Sequence, residues 1–405
     1  MPSEFRQFWD LDPAVMFLNH GSFGATPRAV LDAQQAWRDR LEAEPVRFFS
    51  VELEPAMDAA RDRLGAFVGA DPEGLAFVPN ATTGVNTVLR SLHFDTEDEL
   101  ITTDHAYNAV RNVLDFVAQP AGATVITVEV PFPIASPNEV VEAVMAAVSP
   151  RTRLAVLDHV TSATGLVYPV GQLIGLLHER GVEVLVDGAH APGMLDLDIG
   201  LLDADYYTAN LHKWVCAPKG SGFLFVREDH RHRIRPLVIS HGANSPRIDR
   251  TPFRNEFDWM GTGDPTPYLA SADAINYLES LVVGGWPAIR ARNHGLTLAG
   301  RDLLTDALGI AAPAPDEMIG TMASLPLPGE SGPFVVQGVD LSADPIQGAL
   351  LREYGMETMI TPWPQRPTDG PWRRLIRISA ALHDDMEQME ALAGALKAVL
   401  AARVT

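Results

Sequence analysis

Cysteine is nearly missing from this chain: Cys216 is the only one in 405 residues. An intrachain disulfide is therefore impossible, and the fold owes nothing to an oxidising compartment. No run of about 18 apolar residues is present to span a bilayer. The first ten residues, Met1 to Asp10, lack the basic stretch followed by an apolar one that a secretory leader needs. Positive charge is also short. Lys and Arg number 31 against 52 Asp and Glu, a net charge of −21 with a sequence pI near 4.9. Phosphate backbones are gripped by clustered cations, so this balance argues against a nucleic-acid partner and reads as a solubility device. Internal repeats and low-complexity tracts are absent as well. The expectation is a soluble cytoplasmic protein with no membrane partner.

What is present is globular. Hydrophobic residues make up 46% and charged ones 20%, enough apolar material for a large core. The length suits one large domain and a smaller one. Residues 1–30 read as an arm ending in Asn19, His20, Gly21, Ser22, Phe23 and Gly24, a tight turn between glycines. Residues 31–285 read as the large domain and 286–405 as the small one. Short apolar runs at Leu75–Val78, Glu99–Thr103, Thr124–Val128, Leu154–Leu157 and Val182–Val186 alternate with helical patterns, and strand-like runs follow at Ala204–Tyr207 and Phe223–Val226. This βα rhythm predicts an α/β fold with a mostly parallel sheet flanked by helices. In the small domain the pattern predicts strands at Phe334–Gln337 and Leu375–Ile378, helices at Ile346–Tyr354 and Met386–Ala402, and a Pro-rich loop over 361–370.

Ligands of such sheets bind beyond the C-terminal ends of the strands. Tyr107, His159, Thr161, Ser162, Asp187 and His190 all fall just after expected strands. After the first strand, Pro79 to Asn86 carries Thr82 and Thr83 into a helix start, where free N–H groups and hydroxyls suit an anion. Lys213 lies between two strand-like runs, within Asn210-Leu211-His212-Lys213-Trp214. Taken alone it reads as an ordinary surface lysine. Withdrawn from water, however, its ammonium would lose its proton more easily and become a nucleophile toward aldehydes. Asp187 precedes it by 26 residues (213 − 187) on the same expected sheet. A buried carboxylate can keep a pyridine nitrogen protonated, a lysine can bind an aldehyde as an imine, and a phosphate can rest near Thr82. Together these parts describe a site for pyridoxal 5'-phosphate (PLP).

Three motifs carry a family resemblance over nearly the whole chain: Asn19 to Gly24, Val186 to Gly193, and His212-Lys213-Trp214. The chain resembles the class V aminotransferase group of fold-type I PLP enzymes, which includes cysteine desulfurases, and within it the isopenicillin N epimerase-like members. The resemblance implies a seven-stranded sheet and a smaller α+β C-terminal domain. It implies Lys213 as the Schiff-base lysine, Asp187 as partner of the ring nitrogen, and His190 and Ser162 near the cofactor's phenolic oxygen. Ala81, Thr82 and His212 would bind the phosphate, and Thr262 would reach the phosphate of a neighbouring subunit in a homodimer. Arg377 matches the arginine that clamps a substrate carboxylate, with Asn19, His20 and Ser22 beside the substrate. Tyr107 is expected to stack on the ring, with His105 as the alternative.

The implied substrate is an amino acid or a derivative of one, and the implied reaction begins at its α-carbon. The motifs do not choose among its fates: epimerisation, favoured by the resemblance, loss of a β-substituent as in C–S lyases, or transamination. Tyr107 or His190 could supply a second acid for epimerisation. The 361–365 stretch has no cysteine, which disfavours a persulfide-forming desulfurase. A non-catalytic scaffold is set against by Lys213, Asp187 and Arg377 occurring together.

Overall fold

Period-two alternation within short apolar runs places seven strands in one sheet with a core on each face. The computed structural model describes residues 3–329, 344–364 and 373–404. The expected strand Phe334–Gln337 and residues 365–370 of the expected loop lie outside them. The strands, in chain order, are β1 (Met16–Phe17), β2 (Leu75–Val78), β3 (Glu99–Thr103), β4 (Thr124–Val128), β5 (Thr152–Asp158), β6 (Glu183–Asp187), β7 (Tyr206–Asn210), β8 (Gly222–Val226), β9 (Met322–Pro326), β10 (Met356–Glu357), β11 (Met359–Trp363) and β12 (Arg373–Ser379).

The main sheet has the order β2-β8-β7-β6-β5-β3-β4. Only β8 runs against its neighbours; the pairs β7 with β6, β6 with β5, β5 with β3 and β3 with β4 are all parallel. Parallel strands are covered on both faces, and their side chains alternate between two cores. Leu157, Val184, Val186 and Tyr207 enter one core, with Leu173 and Leu177 of the helix Val170–His178. Val156, Leu185 and Tyr206 enter the other, with Val88 and Leu89 of the helix Ala81–Ser91 and Val113 and Leu114 of Asn108–Ala121. Gly84 lets the helix Ala81–Ser91 lie against β7: a Cβ there would come within 1.9 Å of Thr208 Oγ1.

The C-terminal part builds a separate antiparallel sheet, order β11-β12-β9. Its edge strand β11 takes in Thr361, Pro362 and Trp363, which the sequence pattern assigned to a loop. The arm is stitched to this part: β1 pairs with β10, and Ser3 N–H donates to Asp385 Oδ2 at 3.0 Å. The turn Asn19–Gly24 contains one helical turn, His20–Phe23. Among the described residues no helix is long and apolar enough to cross a membrane.

Candidate active site

Beyond the C-terminal ends of β3, β5, β6 and β7 lies a cavity of about 320 Å³. The hydrogen-bond roles on its wall fix the protonation of its central residue. Lys213 follows β7 in a turn closed by Cys216 N–H to Lys213 O at 3.0 Å. Its Nζ lies 3.0 Å from His190 Nε2, and Trp214 Nε1 points at His190 Nδ1 at 3.4 Å. An indole N–H can only donate, so Nδ1 accepts and the neutral imidazole carries its proton on Nε2. Lys213 must then accept that proton's hydrogen bond, which requires a neutral amine. Burial, and next the Arg377 charge, push the Lys213 pKa down to about 7, against the opposing pull of Asp187 and Asp158. Burial likewise keeps His190 uncharged.

Asp187 ends β6. Its Oδ1 accepts the Ala189 N–H at 3.0 Å, and Oδ2 has no hydrogen bond among the described residues. The sequence pattern did not single out Asp158, at the end of β5 and directly across from Asp187 in the register. Both carboxyls are buried on the cavity wall, and burial raises both pKa values; the Asp187 charge raises Asp158 further. The available signal was a carboxylate at the end of an apolar strand beside the one ending in Asp187.

At the opposite end the helix Ala81–Ser91 opens onto the cavity. Asn80 caps it, accepting from Thr83 N–H at 2.9 Å, while Asn210 Oδ1 takes the Ala81 N–H at 2.9 Å. The Ala81 amide expected to hold a phosphate is therefore engaged within the chain. The Thr82 amide and hydroxyl donate to no acceptor among the described residues, and they stand at the positive end of the helix dipole. His212 donates Nδ1–H to Ser221 O at 3.0 Å, so its neutral ring offers a bare Nε2. Burial holds its pKa near 4; it can donate to an anion only once that anion's charge restores the proton. Lys219, also on this wall, was not foreseen. Thr262 lies on an exposed loop lining other clefts and is not on this wall.

On the small-sheet side, Arg377 is buried in the central strand β12. It donates to Ser162 O at 2.7 Å, Ser22 Oγ at 2.9 Å and Asn19 Oδ1 at 3.2 Å. Arg377 Nε and Asn19 Nδ2 remain buried donors without an acceptor, the kind of deficit a bound carboxylate fills. Ser22 and Ser162 reach the cavity wall; Asn19, His20 and Arg377 are buried behind it. Tyr107 is on the wall and 48% exposed. His105 is fully buried, bonded to Thr164 Oγ1 at 2.7 Å and Val130 O at 3.0 Å. His159 is likewise inside the protein, bonded to Tyr207 OH at 2.8 Å.

An amine held neutral, a carboxylate with a free oxygen and an uncommitted helix N-terminus fit the aldehyde, ring nitrogen and phosphate of PLP. The fold and site define a fold-type I PLP-dependent enzyme. The chain belongs to the class V aminotransferase family, whose model matches residues 17–329, and its cofactor is pyridoxal 5'-phosphate. It is 37% identical to the isopenicillin N epimerase of Amycolatopsis lactamdurans, over 97% of each chain. It is 33% identical to a putative L-cysteine desulfhydrase of Oryza sativa subsp. japonica, over 80% of this chain and 69% of that one. The cysteine desulfurase CsdA of Escherichia coli has the same fold, with a TM-score of 0.77, 21% identity and 98% coverage of both chains. Disfavouring a persulfide-forming desulfurase because residues 361–365 lack a cysteine is therefore not supported: proteins named as a cysteine desulfurase and an L-cysteine desulfhydrase are similar over most of this chain.

Proposed function

We propose that this protein is a cytoplasmic, PLP-dependent isomerase of the isopenicillin N epimerase type, acting at the α-carbon of an amino acid or amino-acid-derived substrate. The carrying observation is the Lys213 amine, 3.0 Å from His190, facing a cavity whose wall residues Ser22 and Ser162 are held by the buried Arg377. PLP supplies an electron sink for charge developing at the substrate α-carbon. Lys213 removes the proton there, its return from the opposite side giving inversion, and Asp187 keeps the sink charged. Arg377, with Asn19 and Ser22, takes the substrate carboxylate through a charge-assisted pair. His190 stands beside Lys213 and so serves the same face. Tyr107, on the cavity wall in the turn after β3, would hold the cofactor ring by stacking and would be the acid that returns the proton from the other side. Thr262 completes the phosphate site of a second copy in a homodimer.

A C–S β-lyase is the second reading, favoured by the likeness to the L-cysteine desulfhydrase. Incubation of candidate amino acids with the PLP-loaded chain in D2O separates the two. Deuterium at Cα with inversion and no keto acid is expected. Pyruvate and ammonia from cysteine without inversion would replace the epimerase reading with the lyase.

A further inference from the structure

His20, His383 and Asp384 lie outside the cavity and are fully buried, yet they form one unbroken hydrogen-bond chain ending on Lys213. His20 Nε2 is 3.0 Å from the Lys213 carbonyl oxygen, His20 Nδ1 is 3.0 Å from His383 Nε2, and His383 Nδ1 is 3.0 Å from Asp384 Oδ1. Asp384 Oδ2 accepts the Ala381 N–H at 2.8 Å, so that carboxylate is itself held. Arg292 binds the Asp384 and Ala381 carbonyls at 2.8 and 3.2 Å. Trp9 and Phe17 pack on the His383 ring, and the Cys216 sulfur lies 3.7 Å from His20 Nε2.

The ends of this chain dictate its protons. A carbonyl only accepts, so His20 Nε2 carries a hydrogen. His20 Nδ1, if bare, needs a hydrogen on His383 Nε2, and the third contact needs one between His383 Nδ1 and Asp384. Three protons therefore fill three contacts, one more than two neutral histidines and a carboxylate bring. With that extra proton the cluster has no net charge, the form that burial favours. Burial, the neighbouring His383 and Lys219 all oppose a charge on His20, so the extra proton is not on the His20 ring.

We infer that His20, His383 and Asp384 are positioning residues: a buried relay that fixes the backbone of Lys213 and thereby aims its amine into the cavity. The relay joins three distant parts of the chain, the arm, the turn after β12 and the turn after β7. It rests on the reading of Lys213 as the lysine that binds PLP. Nothing in it touches substrate, and His20 accordingly acts through Lys213 rather than on the substrate.

The test compares His20→Gln and His20→Leu in the full chain loaded with PLP. A glutamine amide can donate to the Lys213 carbonyl and accept from His383; leucine can do neither. His20→Leu is expected to release PLP at least about fivefold more readily and to move the pH midpoint of the near-visible band, the loss of a buried partner being of that order. His20→Gln is expected to restore both to within about twofold of the wild type. Unchanged retention and midpoint in His20→Leu, or glutamine doing no better than leucine, overturns the relay. Proton and ring-nitrogen NMR of 15N-histidine-labelled wild type reads it independently of cofactor and of variant folding: a hydrogen-bonded proton in each of the three contacts, whether carried on a ring nitrogen or on Asp384, supports it, and a contact without a proton overturns it. A wild type that takes up no PLP while keeping three protons sinks the cofactor reading alone.

Discussion

Lysine is scarce here. Lys213, Lys219 and Lys397 are the only three in the sequence. Two of the three line the cavity. The amine of Lys213 gives up its proton readily because burial and Arg377 disfavour its charge and because a His190 that donates from Nε2 favours the neutral form. Its reactive fraction grows as pH rises through about 7. Uptake of PLP by the cofactor-free chain, followed by the near-visible band, is expected to show a midpoint near that value. Arg377→Met removes a repelling charge, so the midpoint should move upward; a midpoint near the ordinary lysine value in the wild type would refute the neutral amine. Substrate binding is a separate consequence of the same residue. Arg377→Met should raise KM strongly, because a charge-assisted pair worth about 1.5–3 kcal/mol is lost.

At the scale of elements, the turn after β7 is shaped by what leans on it. Gly24 adopts φ +70°, and a Cβ there would come within 2.0 Å of His212 O. Gly24→Ala therefore either strains the arm or displaces the Lys213 turn. A stability loss of about 1–3 kcal/mol is expected, with weaker PLP retention; wild-type melting and retention would show that the turn tolerates the intrusion. The seven strands of the main sheet were legible because each is a short apolar run bounded by turn residues. The small sheet was less so. β9 contains Ser324 and ends in Pro326, β10 has two residues, and β11 carries Pro362, which a sequence pattern reads as a loop. Pro362 is tolerated because β11 is an edge strand among the described residues. The site divides the same way. Lys213, Asp187 and Thr82 were legible from local motifs at strand ends, whereas Asp158 becomes meaningful only once β5 lies beside β6. The partnership of His20 and His383 spans 363 residues, and no local pattern encodes it.

At the scale of the whole molecule, apolar side chains remain on the surface next to the Thr262 loop. Ile248 is 99% exposed, Val46 74% and Val51 65%. Arg247 ties the Ile248 loop to Glu54 at 2.6 Å, while Phe49 lines one cleft with Arg247 and another with Thr262. A second copy of the chain covering this face would bury these side chains and bring Thr262 to its neighbour's phosphate end. Sedimentation is expected to give twice the 43.9 kDa chain mass, and Ile248→Asp to shift the protein toward monomer with loss of PLP retention; a monomeric wild type that retains PLP would exclude the shared site. The stitching of β1 to β10 and of His20 to His383 also has a temporal meaning. All seven strands of the large sheet leave the ribosome before residue 227, and domains can organise as they emerge. The backbone of Lys213 gains its last support only when residues 383 and 384 appear. On the proposed relay, cofactor capture is a late event in the life of the nascent chain, and a chain ending before residue 383 would fold its sheet yet hold its lysine loosely.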